Sequence, residues 1–250
     1  TLYTIFRPEL ITRLQNSKER GNDKLMDMIL DLTRLKKEVI GWQDIGTPKP
    51  EGRVWRFRSF DPLTEKEALH PRIGPPVRLR EIALTADMTN WYKPEFDDSQ
   101  WLSGKAPIGV GEFKAYGHGR GNVDDPNHFV RNGSDWGDGE FLIMRTTFDV
   151  TDLDFDYYRL KMLSNQGHHV YLNGHKVHTY VWFVNVPSYR RIMLTDGIAK
   201  HLKKGSNTLA IYSNLQYVKD KESDAYTSIG QMDLSIEGLK KEALGEAGAE

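Results

Sequence analysis

The chain lacks cysteine altogether, which excludes disulfides, thiolate nucleophiles and Cys-ligated zinc; it leaves the compartment open, because secreted proteins also do without cysteine. No apolar run approaches the roughly 20 residues that span a bilayer. Neither sign of charge is in excess: 34 Lys and Arg stand against 35 Asp and Glu, a formal net charge of -1. No global field therefore draws the chain to nucleic acid or to an anionic membrane, and neither is expected as a partner. The sequence begins at Thr1 with no initiating methionine and no signal-peptide pattern, so it reads as an excised piece or a processed product of something longer.

What is present is enough to fold. The 250 residues are 38% hydrophobic and 11% aromatic, sufficient for one large β domain or two small ones. Residues 8–40 read as helix, with Pro8 suited to a first turn and Leu25, Ile29, Leu32, Leu35 and Val39 recurring at spacings of three and four, broken near Gly21 and Asn22. From 46 to 76 the prolines Pro48, Pro50, Pro62, Pro71, Pro75 and Pro76 mark a linker around one short strand, Val54 to Phe60.

Beyond it the texture is β. Runs rich in branched and aromatic residues predict strands over 77–84, 141–150, 157–163, 169–172, 176–183, 190–194, 208–213 and 232–236. Eight or nine short strands with few helices imply an antiparallel sandwich. Within "VYLNGHKV", Asn173-Gly174 predicts a two-residue hairpin turn. A regular ladder then sets Leu172 opposite His175, Val170 opposite Val177 and His169 opposite His178. Val170, Leu172, Val177, Val181 and Phe183 would face the core, leaving His169, Tyr171, Lys176, His178, Tyr180 and Trp182 outside. Asp196 to Lys203 reads as a helical turn stopped near Gly205, followed by a strand with Leu209 and Ile211 inward. The tail 241–250 reads as frayed.

The order "WYKPEFDDSQW", "APIGVGEF", "MRTTFDV", "VYLNGHKV" and "LKKGSNTLAI" resembles the galactose-binding-like jelly roll, as in the non-catalytic sugar-binding domain of family 2 glycoside hydrolases and related multidomain bacterial proteins. The resemblance covers roughly residues 77 to 238 and supports the fold more than the ligand. It implies a mainly β, antiparallel jelly-roll sandwich with an N-terminal helical segment. The expected organisation is a helical segment over 1–45, a Pro-rich linker over 46–76, the sandwich over 77–240 and the tail. In such domains the Asp-Asp-Ser-x-Trp segment is a corner, with Phe96 and Trp101 plugging the sandwich and Asp97 or Asp98 capping turn amides.

Each candidate site has a plainer reading beside it. Asp97 and Asp98 are neighbours on extended chain and point apart, whereas a glycosidase needs two carboxylates facing each other about 5 to 10 Å apart. Calcium is the alternative for them, or for Asp124, Asp125, Asp135 and Asp138, although no EF-hand pattern is present. His169 and His178 suggest a cross-strand zinc pair, but the sequence nominates no third ligand. No Gly-x-Ser-x-Gly elbow introduces a catalytic serine.

The aperiodic loop over 112–140 supplies Tyr116, His118, Arg120, Asp135 and Trp136, an aromatic face with polar groups of the kind that read a sugar; otherwise Trp136 simply anchors the loop. The row His178, Tyr180 and Trp182 is either a ligand platform or a surface covered by the N-terminal helix or a neighbouring domain. The expectation is therefore a non-catalytic carbohydrate-binding or accessory module of a larger, secreted or periplasmic polysaccharide-acting protein. Its partner is carbohydrate or a neighbouring domain, with no cofactor apart from a structural calcium. The alternative is a structural interdomain or oligomerisation module without a ligand.

Overall fold

The computed structural model describes residues 42–46, 53–61, 79–110, 132–164, 167–181, 189–219 and 226–240. The chain divides into two units, Thr1–Gln43 with Leu239–Glu250, and Asp44–Gly238. The helical segment and the tail expected from the sequence lie outside the described residues, as do most residues of the Pro-rich stretch.

The described strands are β1 (Gln43–Asp44), β2 (Val54–Phe60), β3 (Leu102–Lys105), β4 (Ile108–Val110), β5 (Ser134–Asp135), β6 (Phe141–Val150) and β7 (Tyr157–Ser164). They continue with β8 (His168–Leu172), β9 (His175–Tyr180), β10 (Arg190–Met193), β11 (Gly205–Asn214), β12 (Gln216–Lys219) and β13 (Tyr226–Leu239), with one short helix, α1 (Thr195–Ala199). They build two sheets. One runs β10-β7-β13-β4-β5 with β12 added on β13; the other runs β3-β2-β6-β11-β8-β9. The pairs β10-β7, β13-β12, β13-β4, β3-β2, β2-β6, β6-β11, β11-β8 and β8-β9 are antiparallel, and β4-β5 is parallel.

Alternation along the strands explains why the sheets pack face to face. Trp55 and Phe57 of β2, Leu142 and Met144 of β6, Leu209 and Ile211 of β11, and Val170 and Leu172 of β8 enter one apolar core. Leu160 and Met162 of β7 and Met232, Leu234 and Ile236 of β13 meet them from the other sheet. Such alternating inward residues are the signature of an aligned sandwich. β2, expected within a linker, is an interior strand of the second sheet, paired to β3 and β6.

The other face of that second sheet is not left to water. Phe141 and Ile143 of β6, Ala210 and Tyr212 of β11 and Phe60 of β2 point outward and are covered by Met88, Trp91 and Trp101. The covering chain is the segment 79–101, whose residues 79–84 have the composition of a strand. They are instead irregular chain outside any described ladder, fixed by Leu79 N–H donating to Val181 O at 2.8 Å and by Tyr212 Oη donating to Arg80 O at 2.7 Å. Phe96 and Trp101, expected to plug the space between the sheets, belong to this outer cover.

The Asn173-Gly174 turn forms with positive φ at both residues, 50° and 84°, as a type I′ hairpin requires. The Asn173 side chain also accepts from Thr208 N–H at 2.8 Å and donates to His201 O at 2.8 Å, so the turn is tied to the start of β11. The ladder beyond the turn departs from the expected register. Leu172 does face His175 and Tyr171 faces Lys176, but a bulge then sets Val170 opposite His178, His169 opposite Thr179 and His168 opposite Tyr180. One extra residue on β9 reverses the facing of everything after it.

Candidate functional site

The bulge relocates two of the sequence-predicted site residues. His178 and Tyr180 lie on the inner side of the hairpin, where they meet the fully buried His168 at ring distances of 5.4 and 5.7 Å. Arg190 lies over the Tyr180 ring at 4.6 Å, and the His168 imidazole bonds the Ser164 hydroxyl at 2.9 Å. Burial, and after it the Arg190 charge, hold the His178 pKa below that of an exposed imidazole. This is an internal polar seam at one end of the sandwich, not an outer platform. Val181, expected inward, is 40% exposed.

The outer side of the hairpin carries His169 and Tyr171, and the 79–101 segment closes over it. Tyr171 stacks on Tyr92 at 4.6 Å and meets Trp91 edge-on at 5.5 Å. His169 is fixed between Glu81 at 2.6 Å and Thr179 at 3.0 Å. The expected cross-strand pair of His169 with His178 does not form, since the two imidazoles occupy opposite faces. Trp182, the last member of the expected row, lies outside the described residues.

The 112–140 loop is described from Asn132 onward; Tyr116, His118, Arg120, Asp124 and Asp125 fall outside. Contrary to its aperiodic sequence, it contains the short strand β5. Trp136 has no exposed surface, belongs to the inter-sheet core and donates its indole N–H to Gly139 O at 3.1 Å. Its ring is thus an anchor, with no face open to a sugar. Asp135 accepts from Gly137 N–H at 2.9 Å in a local turn. Among the described residues, no three His, Asp or Glu side chains converge as a metal-ligand set.

The corner over 96–101 is built with more care than the sequence suggests. Asp97 Oδ1 accepts from Ser99 N–H at 3.0 Å, an Asx turn. Asp98 pairs with Arg145 at 2.8 Å. Arg145, 2% exposed in the middle of β6, also donates to Phe96 O and Lys93 O, each at 2.8 Å, and lies under the Phe96 ring. One guanidinium thereby bolts the whole corner to the sheet, using the planar fork that suits several acceptors at once. Even its pKa is lowered by burial, against the pull of Asp98 and Glu95.

Beside this corner, between β2, β3 and the segment 87–101, opens a pocket of about 380 Å³. Phe96 and Trp101 bring aromatic groups to it from the outer cover, and β2 lines it at Phe57, Arg58 and Ser59. Arg58, Asp87, Asp97 and Gln100 bring polar groups to its wall, with Leu102 beside them. Arg58 pairs with Asp87 at 2.6 Å. Both carboxyls are held below the usual carboxylate range, Asp87 by the Thr85 hydroxyl and Arg58, Asp97 by the Ser99 backbone and side chain.

The sequence alone does not assemble this pocket, because Arg58 and Asp87 are remote from the corner in the chain. The available signal is Arg145. An arginine inside the apolar run "FLIMRTTF" demands acceptors, and the nearest acidic pair in the resembling motif is Asp97-Asp98.

No family model and no curated protein matches the sequence. Among solved structures, the chain is similar to a family 2 glycosyl hydrolase from Bacteroides cellulosilyticus, at 13% identity and a TM-score of 0.39 over 80% of this chain and 21% of that one. It is similar to a β-glucuronidase from an uncultured Clostridium at 10% identity and a TM-score of 0.40, over 81% of this chain and 30% of that one. For a β-glucuronidase of Bacteroides uniformis the values are 16% and 0.39, over 80% and 18%. The chain therefore spans between 18% and 30% of the length of these structures. At this identity and score the likenesses assign no activity, substrate or partner to it.

Proposed function

We propose that this chain is a galactose-binding-like, non-catalytic accessory domain of a larger polysaccharide-acting protein, secreted or periplasmic, that engages carbohydrate or holds a neighbouring domain in place. The observation that carries this reading is the state of the two carboxylates at the open pocket. Glycosidic cleavage needs one carboxyl whose pKa is raised so that it can donate a proton to the leaving oxygen. Asp87 is held by Arg58 at 2.6 Å and Asp97 by the Ser99 N–H at 3.0 Å, and these contacts favour the ionised form of both. They accept hydrogen bonds as fixed anions, which suits recognition and not proton transfer.

The structural-module reading is favoured by a separate observation, the burial of Trp136 and the inward turn of His178 and Tyr180. Those side chains serve the sandwich itself.

The test compares the parent protein with and without this chain on an insoluble polysaccharide and on a small chromogenic glycoside. For an accessory domain, turnover of the small glycoside persists while polysaccharide turnover falls. For a purely structural module both fall together, in step with a lower melting temperature. Hydrolysis of the chromogenic glycoside by this chain alone, abolished in Asp87→Asn or Asp97→Asn, would overturn the non-catalytic reading.

A further inference from the structure

We propose that the pocket between β2, β3 and the 96–101 corner is a subsite for one uncharged sugar residue. The inference deepens the accessory-domain reading and rests on it. The volume, about 380 Å³, falls at the small end of ligand clefts, which run from roughly 300 to 1,000 Å³. Space of that size takes a single ring and excludes a folded segment of protein.

The lining selects the chemistry. Phe96, half-buried with Arg145 against its ring, and the edge of the buried Trp101 give the pocket an apolar side for the C–H groups of a sugar, while Gln100, Asp87 and Asp97 line it with groups that exchange hydrogen bonds with hydroxyls. A purely apolar ligand would leave those polar groups desolvated and unpaired, and so is disfavoured. Charge narrows the class further. Among the described residues lining the pocket, the one cation, Arg58, is already paired with Asp87. Asp97 then leaves the wall with an excess negative charge, which repels uronates, phosphates and sulfated sugars. Hydroxyl groups, in contrast, donate well to fixed carboxylates.

The pocket is also rigid before any ligand arrives. β2 and β3 are paired from Val54 to Phe57, and Arg145 fixes the opposing wall through Phe96 O, Lys93 O and Asp98. A wall held by a buried guanidinium loses little freedom on binding, which is the condition for a small ligand to bind measurably.

The experiment titrates the intact chain with neutral methyl glycosides of galactose, glucose, mannose and xylose, and with methyl glucuronide as the anionic counterpart, following the indole signals by NMR. The same titrations are run on Gln100→Ala and on Leu102→Trp, which places a ring at the pocket mouth; both positions are exposed, so the fold tolerates them, and melting curves verify it. The expected result is saturable binding of at least one neutral glycoside in the range of ~1 mM, weakened about tenfold by Gln100→Ala and abolished by Leu102→Trp, with no response to the glucuronide. Three results each overturn the proposal: no neutral glycoside saturates the chain, binding survives both variants unchanged, or the glucuronide binds as tightly. The accessory-domain reading falls by a different result, equal polysaccharide turnover by the parent with and without this chain.

Discussion

The two faces of the β3-β2-β6-β11-β8-β9 sheet are both buried, but by different means. The inner face is sealed by apolar side chains from the opposing sheet, with Trp136 at zero exposure among them. The outer face is sealed by the irregular segment 79–101, which is held down by Arg145 donating to Lys93 O and Phe96 O, by Tyr212 Oη donating to Arg80 O and by His169 bonding the Glu81 carboxylate. Two regular sheets fit by alternation alone, since every second residue meets its counterpart. A loop has no such periodicity, and its backbone carbonyls need partners wherever they are buried. Polar anchors therefore appear where the cover is irregular and are scarce where it is regular.

The largest effect is expected on the inner side. Trp136→Ala opens a cavity in the core and should cost about 4 kcal/mol, read as a lower denaturant midpoint with the slope unchanged. If the loss is below a third of that, the loop and not the ring seals this edge of the core.

On the outer side, Arg145→Ala should cost about 3 kcal/mol, because it leaves Asp98 and two carbonyls without their shared donor. Hydrogen exchange should locate the damage: amides of 91–101 lose protection while those of β7 and β13 keep theirs. Uniform loss across both sheets would show that the outer cover and the inner core are one cooperative unit.

A smaller effect is expected at the hairpin that the two faces share. Gly174 has a φ of +84°, and a methyl group placed on its Cα would have its nearest neighbour 3.6 Å away. Gly174→Ala therefore tests backbone strain without a clash and should cost about 1 kcal/mol in a thermal melt.

The smallest effect concerns pH and separates the inner seam from the rest. The folded His178 has a pKa below the ordinary 6.5 because burial and Arg190 disfavour its cation. The unfolded chain thus takes up that proton first, and the contribution is complete above pH 6.5 and is lost as the pH falls from there toward the folded value. His178→Gln should flatten the fall of melting temperature on the acid side of 6.5. His169, lowered by burial and Lys176 against Glu81, and His201, lowered by desolvation and His175, titrate in the same direction, so the slope should shrink and not vanish.

Much of the fold is legible in the sequence because alternation is a strong local signal. The ends of β2 and β6 coincide with the expected strands, and a helical turn is there as α1, but it is shorter than the expected 196–203, ending at Ala199 with Lys200 as its cap, while Gly205, at a φ of +85°, opens β11. What escapes has no local signature. β3 and β5 are four and two residues long and contain Ser, Gly, Lys and Asp, so they read as loop. The run 79–84 has strand composition, yet it serves as irregular cover on the sheet. Of the candidate site, Asp97 and its turn are readable from spacing, whereas the pocket requires bringing Arg58 and Asp87 to that corner, which only the folded sheet does.

The bulge in β9 has a wider consequence. A single residue at Val177 decides which side chains of the hairpin tip inward and which a partner can meet. Deleting that residue would leave a plain ladder with the same partners, Val170 opposite His178 and His168 opposite Tyr180, so both rings would stay inward; taking Val177 into the ladder would exchange the two rows and turn them out. The sheet would keep its strands and lose its address: a register slip of one residue, with no change of sequence, is enough to rewrite what this edge of the molecule says to its surroundings.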